Sequence, residues 1–134
     1  MKIRIYKEEH IDTSHRLLHY IGKCANLHGH RWKVEVWIEG EPDPATQILI
    51  DYNLIKQVID KFDHQIILNK DDPMVPCIQK YQPVITTQGD PTSELMAAII
   101  RDDIYMICRD LGITATVSKI RVWESPTAYA ELTE

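Results

Sequence analysis

Histidine is the residue type whose spacing most clearly suggests chemistry. The 134-residue chain contains six histidines, and five of them lie between positions 10 and 30. His28 and His30 flank Gly29 at the start of a segment that alternates apolar and polar residues. Because side chains at i and i+2 of a β-strand point to the same face, these two imidazoles are spaced to bind one metal ion. His15, in the preceding segment expected to run alongside, completes a candidate set of three ligands.

Three neutral nitrogen ligands favour a catalytic zinc ion, because structural zinc sites usually have four protein ligands and catalytic sites keep one position open. Cys24, four residues before His28, leaves two alternatives. It is either a fourth ligand that closes the site, or a base or nucleophile beside an open metal ion that stabilises its thiolate. Cys108 lies in an apolar helical segment and is predicted to be an ordinary core residue.

Three further side chains suit proton transfer or ligand binding. Asp63 and His64 follow a predicted helix, and an aspartate beside a histidine can fix the imidazole tautomer and raise its basicity. Glu124 shares strand parity with Ile120 and Val122, which predicts a carboxylate on a buried face. Such a carboxylate needs partners, and a ligand with a guanidine-like edge offers two N–H donors. For His64, the alternative is a histidine that interacts with the negative end of the helix dipole. For Glu124, the alternative is a solvated glutamate beyond the end of the strand.

These residues are positioned by a predicted α+β fold. Alternating segments predict strands over residues 2–7, 30–39, 46–51 and 114–124. Apolar residues at helical spacing predict one helix after an Asp51 cap, ending near residue 63, and a second between Pro91 and Gly112. Residues 65–91 are expected to be irregular, with 84–87 as a candidate edge strand. We expect a four-stranded antiparallel sheet with two helices on one face, in a single domain spanning residues 1–134.

Composition excludes several other classes of protein. The hydrophobic fraction of 44% and charged fraction of 26% are typical of soluble globular chains. A net charge of -5 argues against a nucleic-acid coat or a polybasic membrane binder. No apolar run approaches the roughly 20 residues of a membrane span, and the N-terminal segment lacks the continuous apolar stretch of a secretory signal. Three cysteines are a poor disulfide framework, so we expect a cytoplasmic protein.

Taken in order, these residues resemble the 6-pyruvoyltetrahydropterin synthase family. The resemblance spans nearly the whole chain. It rests on the segments His15-Arg16-Leu17, Cys24, His28-Gly29-His30, Asp63-His64, Pro91-Thr92-Ser93-Glu94 and Val122-Trp123-Glu124-Ser125-Pro126-Thr127. The Cys-x-x-x-His-Gly-His spacing resembles the branch that forms 6-carboxy-5,6,7,8-tetrahydropterin in queuosine biosynthesis, because the biopterin-forming branch has a longer insertion at this point.

The resemblance implies a metal centre and a base beside it. His15, His28 and His30 match the zinc ligands of the family. Cys24 matches its catalytic base. On this basis the implied enzyme is a zinc-dependent lyase.

The resemblance also implies partners for that base and for the substrate. Asp63 and His64 match the residues that tune the thiol across a subunit interface. Glu124 matches the carboxylate that anchors the guanidine-like edge of a pterin. The family has a tunnelling fold, in which sheets close into an oligomeric barrel as a trimer or as a hexamer of two trimers.

The implied reaction converts 7,8-dihydroneopterin triphosphate to 6-carboxy-5,6,7,8-tetrahydropterin, with loss of triphosphate and acetaldehyde. No organic redox cofactor is expected, because the chemistry is internal to the substrate. The alternatives are a pyruvoyl-forming synthase on the same site, a zinc hydrolase, and a non-catalytic domain whose zinc is closed off by Cys24.

Overall fold

Six strands and three helices make up the computed structural model, which describes residues 1–134. The strands are β1 (Ile3–His15), β2 (His28–Gly40), β3 (Gln65–Asn69), β4 (Ile85–Thr87), β5 (Ala115–Ser125) and β6 (Ala128–Thr133). The helices are α1 (Tyr52–Asp60), α2 (Met74–Ile78) and α3 (Ser93–Leu111). None of the helices has the length and hydropathy needed to cross a membrane.

All six strands belong to one mixed sheet in the order β4-β3-β1-β2-β5-β6. The strands β1, β2, β5 and β6 are antiparallel neighbours, whereas β3 pairs in parallel with both β1 and β4. The predicted α+β class is confirmed, but the predicted four-stranded antiparallel sheet is wrong in strand number and in strand direction at one edge. The predicted edge strand 84–87 is present as β4 at one edge of the sheet, whereas β3, with only five residues, is too short for alternation to reveal it.

The strand predicted over residues 46–51 is absent. Asp43 accepts hydrogen bonds from the backbone N–H groups of Ala45 and Thr46, at 2.7 and 3.1 Å, which folds this segment into a turn. Leu49 is nevertheless buried, and a Cβ added to Gly40 would lie 2.7 Å from its side chain. The alternation in this segment therefore reflects packing against the end of β2 rather than strand pairing.

Both predicted helices are present, with the caps that their sequences suggest. The Asp51 side chain accepts a hydrogen bond from Asn53 N at 2.8 Å at the start of α1. Thr92 caps α3 by accepting from Leu95 N at 3.1 Å, and Gly112 ends α3 with a φ of 69°. A left-handed C-cap favours glycine because a Cβ is disfavoured there. The short helix α2 lies in the segment expected to be irregular.

Alternation along β2 determines which face of the sheet is buried. Trp32, Val34, Val36 and Ile38 are fully buried in the core. The helices α1 and α3 contribute the other half of that core, so the apolar face of the sheet is covered on one side. His28 and His30 continue the parity of Trp32 at the beginning of β2, which places both imidazoles at the end of the buried face.

Candidate metal centre and its surroundings

Strand pairing brings three histidines together at one end of the sheet. In the β1–β2 register His15 lies opposite His28, and Thr13 lies opposite His30. The ring centroid of His28 lies 4.7 Å from that of His15 and 4.7 Å from that of His30. β5, the other neighbour of β2, adds the carboxylate of Glu124 near its end. One ligand atom from each of these four side chains lies within 4.8 Å of the others.

Backbone carbonyl groups orient two of the imidazoles. Nδ1 of His15 is 2.7 Å from Pro91 O, and Nδ1 of His28 is 2.6 Å from Asn26 O. Because a carbonyl oxygen only accepts, each Nδ1 carries the proton and Nε2 keeps its lone pair in the neutral ring. This is the usual outer-shell arrangement of histidines that bind a metal ion through Nε2.

The Nε2 atoms of His15 and His30 are buried and have no hydrogen-bond partner. Burial lowers the pKa of both imidazoles, which favours the neutral form that can bind a metal ion. Glu124 Oε1 lies 3.2 Å from the His15 Nε2 and 3.4 Å from the His30 Nε2. Buried lone pairs without donors, facing a carboxylate, suit a divalent cation, so these residues fit a zinc ion.

Cys24 lies on the loop between β1 and β2, in a single turn of 3₁₀ helix over Lys23–Ala25. Its thiol is half-buried and free, and its backbone carbonyl accepts a hydrogen bond from Leu17 N at 2.9 Å. The sulfur atom is not among the clustered ligand atoms of the metal centre. The histidines and Glu124 therefore form a possible metal centre without the thiol.

Asp63 and His64 form a second cluster, together with Asp12. Asp12 N donates to Asp63 Oδ1 at 2.8 Å, and His64 N donates to Asp12 O at 2.7 Å. His64 has a φ of 59° and a side chain that is 77% exposed, so its imidazole points into solvent. Cys24 is not part of this cluster either, so a single chain does not group the three proposed proton-transfer residues.

Sequence reasoning missed Asp12. Its carboxylate joins the second cluster because β1 pairs in parallel with β3, with Thr13 opposite Gln65. That pairing joins segments about fifty residues apart in sequence. The alternation of β1 marks Asp12 only as a solvent-facing position, and no local signal connects it with His64.

Two cavities include His30 among their lining residues. The first cavity, of about 620 Å³, is also lined by Glu124, Trp123 and Lys33. The second cavity, of about 520 Å³, is lined in part by His64. A larger cavity of about 840 Å³ lies at the opposite end of the sheet and is lined by none of the candidate site residues.

A mixed sheet covered by helices on one face, with three histidines and a carboxylate converging at one end of neighbouring strands, defines a small α+β protein with a candidate metal site at that end of its sheet. The sequence model of the 6-pyruvoyl tetrahydropterin synthase family matches residues 4–134. The chain therefore belongs to this family, which is one of pterin synthases.

Individual relatives extend the comparison over the full length of the chain. A 6-carboxy-5,6,7,8-tetrahydropterin synthase of Rickettsia felis is 30% identical, and the alignment covers 97% of this chain and 99% of that protein. A protein of Pyrococcus abyssi, to which the same name is provisionally given, is 33% identical over 99% of this chain and 91% of its own length. The structure of the Caenorhabditis elegans 6-pyruvoyl tetrahydropterin synthase covers 100% of this chain and 96% of its own, with 21% identity and a TM-score of 0.67.

Proposed function

We propose that this chain is a zinc-dependent lyase that converts 7,8-dihydroneopterin triphosphate and one water molecule to 6-carboxy-5,6,7,8-tetrahydropterin, with loss of triphosphate and acetaldehyde. The observation that carries this proposal is the convergence of three histidines with two buried Nε2 atoms that have no hydrogen-bond partner. The choice of product is supported by the Cys-x-x-x-His-Gly-His spacing and by relatives named for the carboxy product.

His15, His28 and His30 would hold the zinc ion through Nε2. A bound zinc ion supplies Lewis-acid stabilisation to oxygen atoms on the substrate side chain. The Pro91 carbonyl group keeps the His15 ring in the tautomer that leaves Nε2 free, and the Asn26 carbonyl group does the same for His28. The protein thus prepares these two rings for metal binding before any ligand arrives.

Cys24 is proposed to act as the base that moves protons on the substrate side chain. Asp63 and His64 share the proton load, with His64 exposed and able to exchange its proton with solvent. Because one chain does not group these residues with Cys24, the proposal includes a homo-oligomer, a trimer or a hexamer, in which neighbouring chains complete each site.

Glu124 is proposed to bind the substrate. Its carboxylate lies at the end of β5 and lines the same cavity as His30 and Trp123. A carboxylate in this position can accept hydrogen bonds from N–H donors of a pterin, whose guanidine-like edge presents two of them.

Replacement of Cys24 tests the assignment of roles. We expect Cys24→Ala to bind zinc at the wild-type stoichiometry and to lose turnover, because the thiol lies outside the ligand cluster. Cys77→Ala is the matched control, since Cys77 is an exposed free cysteine on α2. Zinc content by elemental analysis and consumption of 7,8-dihydroneopterin triphosphate are the measurements. Loss of zinc from Cys24→Ala would make the cysteine a ligand and would contradict its role as a base.

A further inference from the structure

The carboxylate of Glu124 reaches the candidate metal centre from the same face of the sheet as the three histidines. Glu124 shares strand parity with Val122, a core residue that pairs with Val34 of β2, and Val34 in turn shares parity with His30. Cys24, the other candidate for a closing ligand, lies outside the ligand cluster, whereas Glu124 lies inside it. The side chain available for a fourth metal position is therefore a carboxylate and not a thiol.

The distances between ligand atoms match those around one tetrahedral ion. Two atoms that each lie about 2.0–2.1 Å from a tetrahedral zinc ion are about 3.3 Å apart. Glu124 Oε1 is 3.2 Å from the Nε2 atom of His15 and 3.4 Å from the Nε2 atom of His30. The carboxylate oxygen thus has the spacing of a neighbouring ligand to both histidines.

Neither of these contacts is a hydrogen bond. Both separations are short enough for one, yet neither Nε2 atom has a hydrogen-bond partner, so Oε1 lies to one side of the axis along which each nitrogen would donate. In His15 the Nδ1 proton faces the Pro91 carbonyl group, which leaves only a lone pair at Nε2 of the neutral ring. Lone pairs of nitrogen and of a carboxylate oxygen repel one another at such distances, and a cation held between them removes the repulsion.

We propose that Glu124 is the fourth ligand of the metal ion while no pterin is bound. An anionic oxygen beside three neutral imidazoles suits zinc, which accepts carboxylate ligands at about 2.0–2.2 Å. The Glu124 side chain is 34% exposed and lines the cavity of about 620 Å³, so it has room to turn away from the ion. The metal site is therefore closed at rest and opens when the carboxylate leaves. The link between opening and substrate rests on the proposed function, in which the same carboxylate binds the pterin.

Two measurements without pterin test the fourth ligand: competition for zinc with a chelator, and the absorption spectrum of the cobalt(II) form. Glu124→Gln removes the charge, and Glu124→Asp keeps it on a side chain one methylene shorter. Glu94→Gln is the matched control, because Glu94 is an exposed acid in the first turn of α3, outside the cluster. We expect both Glu124 variants to weaken zinc binding roughly tenfold or more and to change the cobalt(II) spectrum. Glu94→Gln should match the wild type in both measurements.

A charge that is merely close to the ion gives a different result. It raises the affinity for a cation without coordinating it, so Glu124→Gln would weaken zinc binding but leave the cobalt(II) spectrum of the wild type unchanged. That outcome would overturn the proposal, as would wild-type zinc affinity in Glu124→Asp. Circular dichroism melting confirms that each variant is folded.

Addition of 7,8-dihydropterin separates this proposal from the proposed function. This compound has the guanidine-like edge but no hydroxylated side chain, so it changes the cobalt(II) spectrum only by drawing Glu124 away from the ion. A response of the wild type that is missing in Glu124→Gln supports the ligand and its release. If the two spectra differ without pterin but the wild type does not respond to it, Glu124 is a ligand, and its substrate-binding role in the proposed function is wrong.

Discussion

At the scale of single residues, Glu35 shows how a charged side chain is accommodated in a nearly buried position. It is 7% exposed, on the opposite parity of β2 from the core residues. Tyr6 Oη and Trp123 Nε1 each donate to its carboxylate at 2.5 Å. Burial raises the pKa of the Glu35 carboxyl group, but these hydrogen bonds, with Lys33 and Arg121 nearby, hold that pKa below its usual value.

The lowered pKa predicts a specific loss of stability in acid. The folded chain binds the Glu35 proton less tightly than the unfolded chain, whose pKa is near 4.5. The stabilising contribution of Glu35 is therefore present above that pH and lost as the pH falls through the folded pKa. We expect Glu35→Gln to lower the free energy of unfolding at neutral pH by about 1–3 kcal/mol and to reduce the further loss in acid.

Urea unfolding at neutral pH and below pH 4.5 measures both effects. Glu8→Gln is a suitable control, because Glu8 lies on the neighbouring strand directly opposite Glu35 and is exposed. If Glu35→Gln and the wild type lose the same free energy of unfolding on acidification, the account of this carboxylate is incorrect.

Among the elements, the loop over residues 16–27 contacts the segment between β4 and α3. Asp90 accepts hydrogen bonds from the His19 backbone N–H and from the Asn69 side chain, both at 2.9 Å. The next residue, Pro91, supplies the carbonyl group that orients His15. One short segment before α3 thus contacts both the loop that carries Cys24 and a candidate ligand of the metal centre.

Removal of the Asp90 carboxylate should loosen this loop. In Asp90→Ala the His19 N–H loses its acceptor, so we expect faster hydrogen exchange at backbone amides of residues 16–27 and a loss of about 1–3 kcal/mol in the free energy of unfolding. Asp110→Ala, at an exposed position in the last turn of α3, is the control. Unchanged exchange in the loop of Asp90→Ala would show that other contacts hold it.

The elements that the sequence predicts are those with strong local signals. The helices α1 and α3 have clear apolar stripes and standard caps, so local rules identify them. The strand β3 could not be predicted, because it has only three consecutive apolar residues and its pairing with β1 joins distant segments, whereas β4 lies within the predicted edge strand 84–87. The segment 46–51 alternates like a strand but folds as a turn, because the Asp43 side chain binds the backbone there.

The site residues also differ in how far the sequence predicts their positions. His15, His28 and His30 lie on two antiparallel strands that are consecutive in the chain, so their spacing suffices to suggest that they meet. The position of Glu124 depends on strand parity and on β5 pairing with β2. Asp12 joins Asp63 and His64 only through the parallel β1–β3 contact, which spacing along the chain does not reveal.

At the scale of the whole molecule, the two clusters of one chain are incomplete as a proton-transfer site. Neither cluster contains Cys24, whereas the proposed mechanism exchanges protons between Cys24, Asp63 and His64. The proposed homo-oligomer resolves this separation if Cys24 of one chain faces Asp63 and His64 of its neighbour.

Mixing two inactive variants tests this arrangement. Cys24→Ala and His64→Ala should each be inactive alone, because each removes one member from every site. After the two are unfolded and refolded together, sites that draw Cys24 and His64 from different chains regain both groups, which restores roughly a quarter of the wild-type activity. Two Cys24→Ala preparations mixed in the same way are the control. Recovery no greater than the control would place both residues in one chain's own site.

Mass spectrometry of the products that the zinc-loaded chain forms from 7,8-dihydroneopterin triphosphate tests the proposed function directly. The proposed function predicts 6-carboxy-5,6,7,8-tetrahydropterin together with acetaldehyde and triphosphate. A 6-pyruvoyl product would keep the site but contradict the proposed reaction. If folded, zinc-loaded protein consumes no substrate, the chain shares only the fold of the family and the lyase assignment is wrong.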